Sequence, residues 1–385
     1  MDIVIIGAGV IGLATAWRAA ARGAAVTLVD PEPASGASSV AAGMLTPVSE
    51  LTYGEEPLLR LGLASRERYG AFIAELEELT GHDTGYRGDG ILEVAFDSDD
   101  LGYLDDLRRF QESLGIRVEA LTGRECRKAE PMLAPGVRGG LLAPEDGSVD
   151  PRRLAPALLA AAGRLGVRLV RRRAAAVIVE NDAAAGVRLD DGSEIRAAKV
   201  LLAAGPWSGD VEGLPPGVVP PVRPVKGQVI RLRTRVPFLR RATRGLVRGS
   251  SVYLVPRADG EIVIGATQEE LGFDTRVTAG GVWELLRDAR ELLPGVTELE
   301  FTEVSAGLRP GSPDNAPVMG PTALPGFFLG TGHFRNGILL APVSADVLTE
   351  VLLDGTVPEV GRPFAPGRFD AAGANGPKTR VGGAS

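Results

Sequence analysis

Among its 385 residues the chain has a single cysteine, Cys126, and two histidines, His82 and His333. A lone cysteine forms no internal disulfide and no multi-cysteine metal site, which fits a reducing compartment. Cys126 reads as structural, and no metal is expected. The chain also lacks a basic excess: 42 Lys and Arg stand against 49 Asp and Glu, a net charge of −7. The run Arg171 to Arg173 is read as a solvated strand edge, so nucleic acid is not an expected partner. Long apolar runs are missing too. The opening MDIVIIGAGVIGLATAW is too short and too glycine-rich to span a membrane, and it shows no basic leader or small-residue cleavage site. A cytoplasmic protein with no membrane partner is expected. Apolar residues at 44% and charged residues at 24% describe an ordinary soluble chain, and its length favours two domains.

The strongest signal is at the start. Ile3 to Ile6 is a short apolar strand, followed by Gly7, Gly9 and Gly12 in G-x-G-x-x-G spacing, a helix to about Ala21, and a second strand ending at Asp30. Gly7 permits the tight turn, Gly9 admits a pyrophosphate against the backbone, and Gly12 lets helix pack on strand. The helix N-terminus offers N–H groups and a positive dipole end to phosphate, and Asp30 can accept hydrogen bonds from a ribose. These residues do not separate NAD from FAD. The small, polar segment SGASSVAAGMLTP at 35 to 47 would admit a bulky ligand close to the backbone.

Further along, the patterns predict helices over 67–79 and 100–114, a strand at GILEVAF, and a helix capped by Asp150 with Pro151 first and Gly166 as its stop. Leu154, Leu158, Leu159, Ala162 and Leu165 would form its apolar face. KVLLAAGPW would return to the parallel sheet, bringing Ala203 to Gly205 near the ligand. From Pro220 to about Glu303 the pattern turns to short strands, with a hairpin turn at Arg257 to Gly260 and a helix over 282–293. The fold class is therefore α/β, with a discontinuous dinucleotide domain at 1–80, 145–220 and 304–360. A sheet-rich α+β substrate domain at 81–144 and 221–303 would be inserted in it. The segment 366–385, ending DAAGANGPKTRVGGAS, is Gly/Ala-rich without periodicity and is expected to be disordered.

Two arginines stand out. Arg309 in SAGLRPGSPD and Arg335 in GHFRNG are each held between turn residues, and a fixed guanidinium is a fork for a carboxylate, worth roughly 1.5–3 kcal/mol. A surface ion pair is the competing reading for both. His333 is read as a residue that orients backbone rather than as a catalytic base.

The glycine fingerprint, AAGMLTP (41–47), KGQV (226–229), VYLVPR (252–257), IGAT (264–267), AGLRPGSPD (306–314) and GHFRNGILLAP (332–342) together resemble bacterial glycine oxidases of thiazole biosynthesis, in the D-amino-acid oxidase family of flavoproteins. The resemblance covers residues 1 to about 355 and implies a Rossmann-type FAD-binding domain with the sheet-rich domain inserted. It implies non-covalent FAD held by Gly7, Gly9, Val10, Ile11, Gly12, Asp30, Ala37, Ser38, Ala42, Gly43, Met44 and Ala175. His333, Phe334, Arg335, Asn336, Gly337, Ile338 and Leu339 would run beside the flavin ring. Arg309 would pair with the substrate carboxylate, with Tyr253 and Arg335 lining the same pocket. Asp30 stands where the family often has Glu, and Gln268 differs from the apolar residue of some members, which bears on side-chain size.

The chemistry so implied is oxidative deamination of a small amino acid such as glycine, sarcosine or a D-amino acid. Hydride leaves the α-carbon of the neutral amine, the imine is hydrolysed to a 2-oxo acid and ammonia, and molecular oxygen becomes hydrogen peroxide. No side-chain base is compulsory. A homo-oligomer is implied by the resemblance alone. Competing readings are a D-amino-acid or secondary-amine dehydrogenase with another electron acceptor, a sarcosine oxidase, and a non-catalytic flavin-binding interaction protein.

Overall fold

The strand Asp2–Ile6 is apolar on both faces because both are covered. It lies inside a six-stranded sheet ordered Val318–Pro321, Phe327–Thr331, Lys199–Leu202, Asp2–Ile6, Ala25–Val29 and Arg168–Val170, parallel except for Val318–Pro321. Ile3 and Ile5 point to one side, into a core shared with the helices Val10–Ala21, Glu56–Thr80, Pro151–Arg164 and Ala341–Asp354. Val4 and Ile6 point to the other, onto Val177 and Val187 of a three-stranded sheet formed by Ala174–Glu180, Ala183–Leu189 and Glu194–Arg196. The period of two along a strand produces this division. Lys199–Leu202 returns to the parallel sheet beside Asp2–Ile6, as its sequence predicts.

The computed structural model describes residues 2–247 and 249–369. The helix expected over 67–79 extends to Glu56–Thr80, its Gly62 lying where an added Cβ would press on Pro47. Asp150 caps Pro151–Arg164 by accepting the Arg152 N–H at 2.9 Å, and Gly166 follows at φ +78°. Because this helix ends at Arg164, Leu165 falls outside it and is exposed, unlike Leu154, Leu158 and Ala162. Residues 366–369, expected to be disordered, form a 3-10 turn whose Arg368 pairs with Asp314 at 2.8 Å. The remainder of that tail, 370–385, lies outside the described residues.

The second sheet has eight strands, ordered Glu300–Gly311, Arg223–Arg233, Glu261–Gly265, Ser250–Pro256, Ala242–Val247, Ile91–Ala95, Gly139–Ala143 and Glu119–Thr122. The helix Ala279–Leu292 packs its Leu285, Ala289 and Leu292 on one face of it. The strand Glu300–Gly311 runs straight through residue 303, where the sequence placed the return to the nucleotide unit. It stays paired with Arg223–Arg233 as far as Gly311. Arg309 therefore belongs to the second sheet, carried to its end nearest the first.

Candidate active site

A cavity of about 750 Å³ separates the two sheets. At the first sheet it is shaped by close backbone approach. Gly7 has φ +103°, and a Cβ there would overlap the Ala203 carbonyl; a Cβ on Gly12 would overlap Gly7 O. Gly9 has only Ser38 Oγ near its missing side chain, so this stretch of chain presents bare backbone. Asp30 lines the cavity and also builds it: Oδ2 accepts the Ala8 N–H at 2.7 Å and Oδ1 accepts the Glu32 N–H at 2.8 Å. The segment predicted from small residues forms a one-turn helix, Ala37–Val40, whose Ser38 Oγ accepts the Val10 N–H at 3.1 Å. Val10, Ile11, Ala37, Ala42, Gly43, Met44 and Ala175 line the same cavity.

One contributor escaped the sequence reading. Arg257, 7% exposed, donates from Nη2 to Ala42 O and from Nη1 to Val149 O at 3.0 Å, and so ties the 41–43 loop to the second sheet. Burial pulls its guanidinium down to about 10. The VYLVPR motif contained it, but a turn arginine gives no local sign that it will be buried.

The GHFRNG turn approaches from the opposite side. Its Phe334 N–H donates to Pro310 O at 2.9 Å, which fastens the turn to the Arg309 strand. His333 is 3% exposed, its Nε2 lies 3.0 Å from Ser344 Oγ, and burial lowers its imidazole to about 3. It is thus neutral, and it too lines the cavity. Phe334, Arg335, Gly337 and Ile338 line the cavity, and Arg335 is exposed with its guanidinium 5.6 Å from the Phe334 ring centroid.

Three members of the expected cofactor set do not line the cavity. Gly12 serves packing alone. Asn336 is occupied with the turn, its N–H donating to His333 O. Leu339 points into the core, because Ser65 Oγ and Tyr69 Oη donate to the carbonyls of Leu339 and Ile338 and draw that stretch onto the long helix. The helix that follows starts only at Ala341. Its first N–H groups are taken by Ile338 O and Ser65 Oγ, and Pro342 has none, so they are not left to stabilise charge in the cavity. Gln268 is exposed and off the cavity, and it sets no side-chain size there.

At the second sheet the cavity becomes charged. Arg309 Nη1 donates to Lys226 O at 3.3 Å and Thr267 O at 3.2 Å. Its guanidinium lies flat on Gly227, where any Cβ would collide with Nη1 and Nη2. Those two carbonyls are themselves fixed: Lys226 and Glu269 exchange backbone hydrogen bonds at 2.8 and 3.0 Å. Thr267 Oγ1 and Gln228 Nε2 both donate to Glu269 Oε1, at 2.6 and 2.7 Å. Tyr253 stands beside Arg309, its phenol pushed up by burial and pulled down by that guanidinium. Glu50, Thr46 and Gly227 also line this end and were not predicted. Glu50 lies only six residues past Met44, but nothing local marks it as facing inward.

A cradle of bare glycine backbone, an acid at the end of the second strand and a wall of small residues fit a dinucleotide. The adjoining charged end fits a small acid. The family model described as FAD dependent oxidoreductase matches residues 2–351. The chain belongs to that family. It is 34% identical over 357 residues to the glycine oxidase of Geobacillus kaustophilus, covering 91% of this chain and 92% of that protein. It is 36% identical over 374 residues to the bifunctional protein ThiO/ThiG of a Synechocystis strain. That match covers 96% of this chain but 54% of the relative, so the chain spans about half the length of the bifunctional relatives it matches. The crystal structure of the Geobacillus kaustophilus glycine oxidase superimposes with a TM-score of 0.88 at 33% identity, covering 94% of this chain and 97% of that one. The fold is therefore that of the FAD-dependent D-amino-acid oxidase-like oxidoreductases, and the cofactor is FAD.

Proposed function

We propose that the chain oxidises glycine with non-covalent FAD, giving the imine, then the 2-oxo acid and ammonia, with oxygen reduced to hydrogen peroxide. In the cell it would act in the cytoplasm and supply thiazole synthesis for thiamine. The observation that carries this reading is the Arg309 guanidinium laid on Gly227, at the charged end of a cavity whose other end is the dinucleotide cradle. The glycine oxidase name of relatives matched over most of both chains supports the choice of substrate.

FAD, held by the glycine cradle with Asp30 and Ser38, would supply the acceptor for two electrons and their outlet to oxygen. The protein supplies position. Arg309, held by two carbonyls, offers its outer face to the carboxylate as a charge-assisted pair. Tyr253 beside it is an O–H that burial keeps protonated. His333, neutral and bonded to Ser344, holds the turn and takes no proton. The test is a spectrum of the purified protein and an anaerobic titration with glycine. A yellow protein bleached by glycine is expected; a colourless protein would remove the flavin from the reading, and a yellow one left unbleached would remove the substrate.

A further inference from the structure

Apart from Arg309, which the carboxylate site uses, the substrate end carries two carboxylates against one guanidinium. Glu50 lines the cavity with Arg309 and Tyr253, and its side chain is 16% exposed. Arg244, from the second sheet, lies 3.3 Å from Glu50 and 3.6 Å from Glu93. Two carboxylates thus share one guanidinium. Burial raises the proton affinity of Glu93, and the charge of Glu50 raises it further. With Arg309 committed to a carboxylate, one guanidinium serves two carboxylates, and the cluster has room for one more positive charge. Of the two acids, Glu50 is the one that meets the cavity.

Glu50 is also held in place. Ser49 donates to Asp146 Oδ2 from its N–H at 2.9 Å and from Oγ at 2.7 Å. Gln111 Nε2 donates to Val48 O at 3.0 Å, and Arg244 Nη1 donates to Ser49 O at 2.9 Å. The backbone before Glu50 is therefore gripped from three other segments, which an idle surface acid does not need.

We propose that Glu50 receives the ammonium group of the substrate, opposite the carboxylate on Arg309, and takes its proton. The inference rests on the amino-acid oxidase reading above. In that step an N–H bond breaks, an O–H bond forms on the Glu50 carboxylate, and the pair stays on nitrogen as the lone pair that an imine requires. The cavity then selects molecules that carry an anion and a cation on one carbon. Other titratable or charged groups around Glu50 are Arg244, Glu93, Tyr253, Arg309, Tyr103 on the helix Ser98–Ser113, and Asp146 behind Ser49.

The test compares two acids of equal size, glycine and hydroxyacetate, on the flavin-loaded wild type, Glu50→Gln, Glu50→Asp and Glu93→Gln. Hydroxyacetate binding is read from the shift of the flavin band, and glycine binding from the concentration dependence of anaerobic bleaching. The expected result is that Glu50→Gln loses the preference for glycine by about 10- to 100-fold while hydroxyacetate binds as before. Its kcat/KM for glycine falls at neutral pH and recovers as the pH rises toward loss of the free amine's own proton. Glu50→Asp keeps part of the preference, and Glu93→Gln keeps most of it. A Glu50→Gln enzyme with the wild-type preference and pH profile would overturn the proposal, and so would an equal loss for both acids, which marks a structural role. Failure of glycine to bleach the wild type would count against the glycine reading alone. Displacement of hydroxyacetate by glycine then supplies the same ratio.

Discussion

The two ends of the cavity are built from different materials. The nucleotide end consists of backbone: Gly9 leaves it bare, Gly7 and Gly12 let the surrounding chain pack closely, and Asp30 and Ser38 spend oxygens on holding N–H groups in place. The charged end consists of side chains, with Glu50 about 200 residues from Tyr253 and about 260 from Arg309 in the chain. A long ligand bound along its backbone needs room, which small residues provide locally. Side chains from a turn and two strands far apart in the chain meet only when the fold brings those segments together.

Substitutions can break that contrast. The largest effect is expected for Gly7→Ala, where a left-handed residue and an overlap with Ala203 O combine to cost about 3 kcal/mol or more. Flavin content and the denaturant midpoint should both fall; normal flavin content would mean that the turn has slack. Next is Arg309→Ala, which should lower kcat/KM for glycine by about 10- to 100-fold with flavin still bound. Full activity in that variant would move the carboxylate site elsewhere.

A pH measurement sharpens the comparison at the substrate end. Burial pushes the Asp146 carboxyl up to about 6, against hydrogen bonds from Ser49 and the charge of Arg66. A carboxyl with a raised folded pKa contributes stability that is present below its unfolded value, near 4, and lost as the pH climbs through about 6. Urea unfolding of the wild type should therefore lose roughly 1–3 kcal/mol across that window. Asp146→Asn should lose less; an identical slope in the variant would exclude Asp146 as the source. The smallest effect is expected for Gly227→Ala. Its methyl group displaces the Arg309 guanidinium, and KM for glycine should rise by about 10-fold with little change in flavin affinity. An unchanged KM would show that Arg309 does not need its seat on the backbone.

The N-terminal unit was legible because its logic is local. Strand, glycines, helix and acid follow one another within thirty residues, and each has a steric reason that holds wherever the chain goes. Tyr253 was reachable only through a resemblance, while Arg309 stood out locally but read equally well as a surface ion pair. The strand near residue 303 was hard to place for a related reason: nothing local tells a strand which sheet will accept its hydrogen bonds, and Glu300–Gly311 pairs with Arg223–Arg233.

The sequence by itself therefore determined the glycine cradle and the cap of the helix Pro151–Arg164, because close backbone approach depends on which residues lack side chains and a cap on its neighbours in the chain. The tertiary structure decided which charges meet in the cavity. It turned Leu339 into the core, buried Arg257 as a tie to the 41–43 loop, and set Glu50 on the wall shared with Arg309. Those placements depend on register and packing between strands far apart in the chain, and no window of residues contains them.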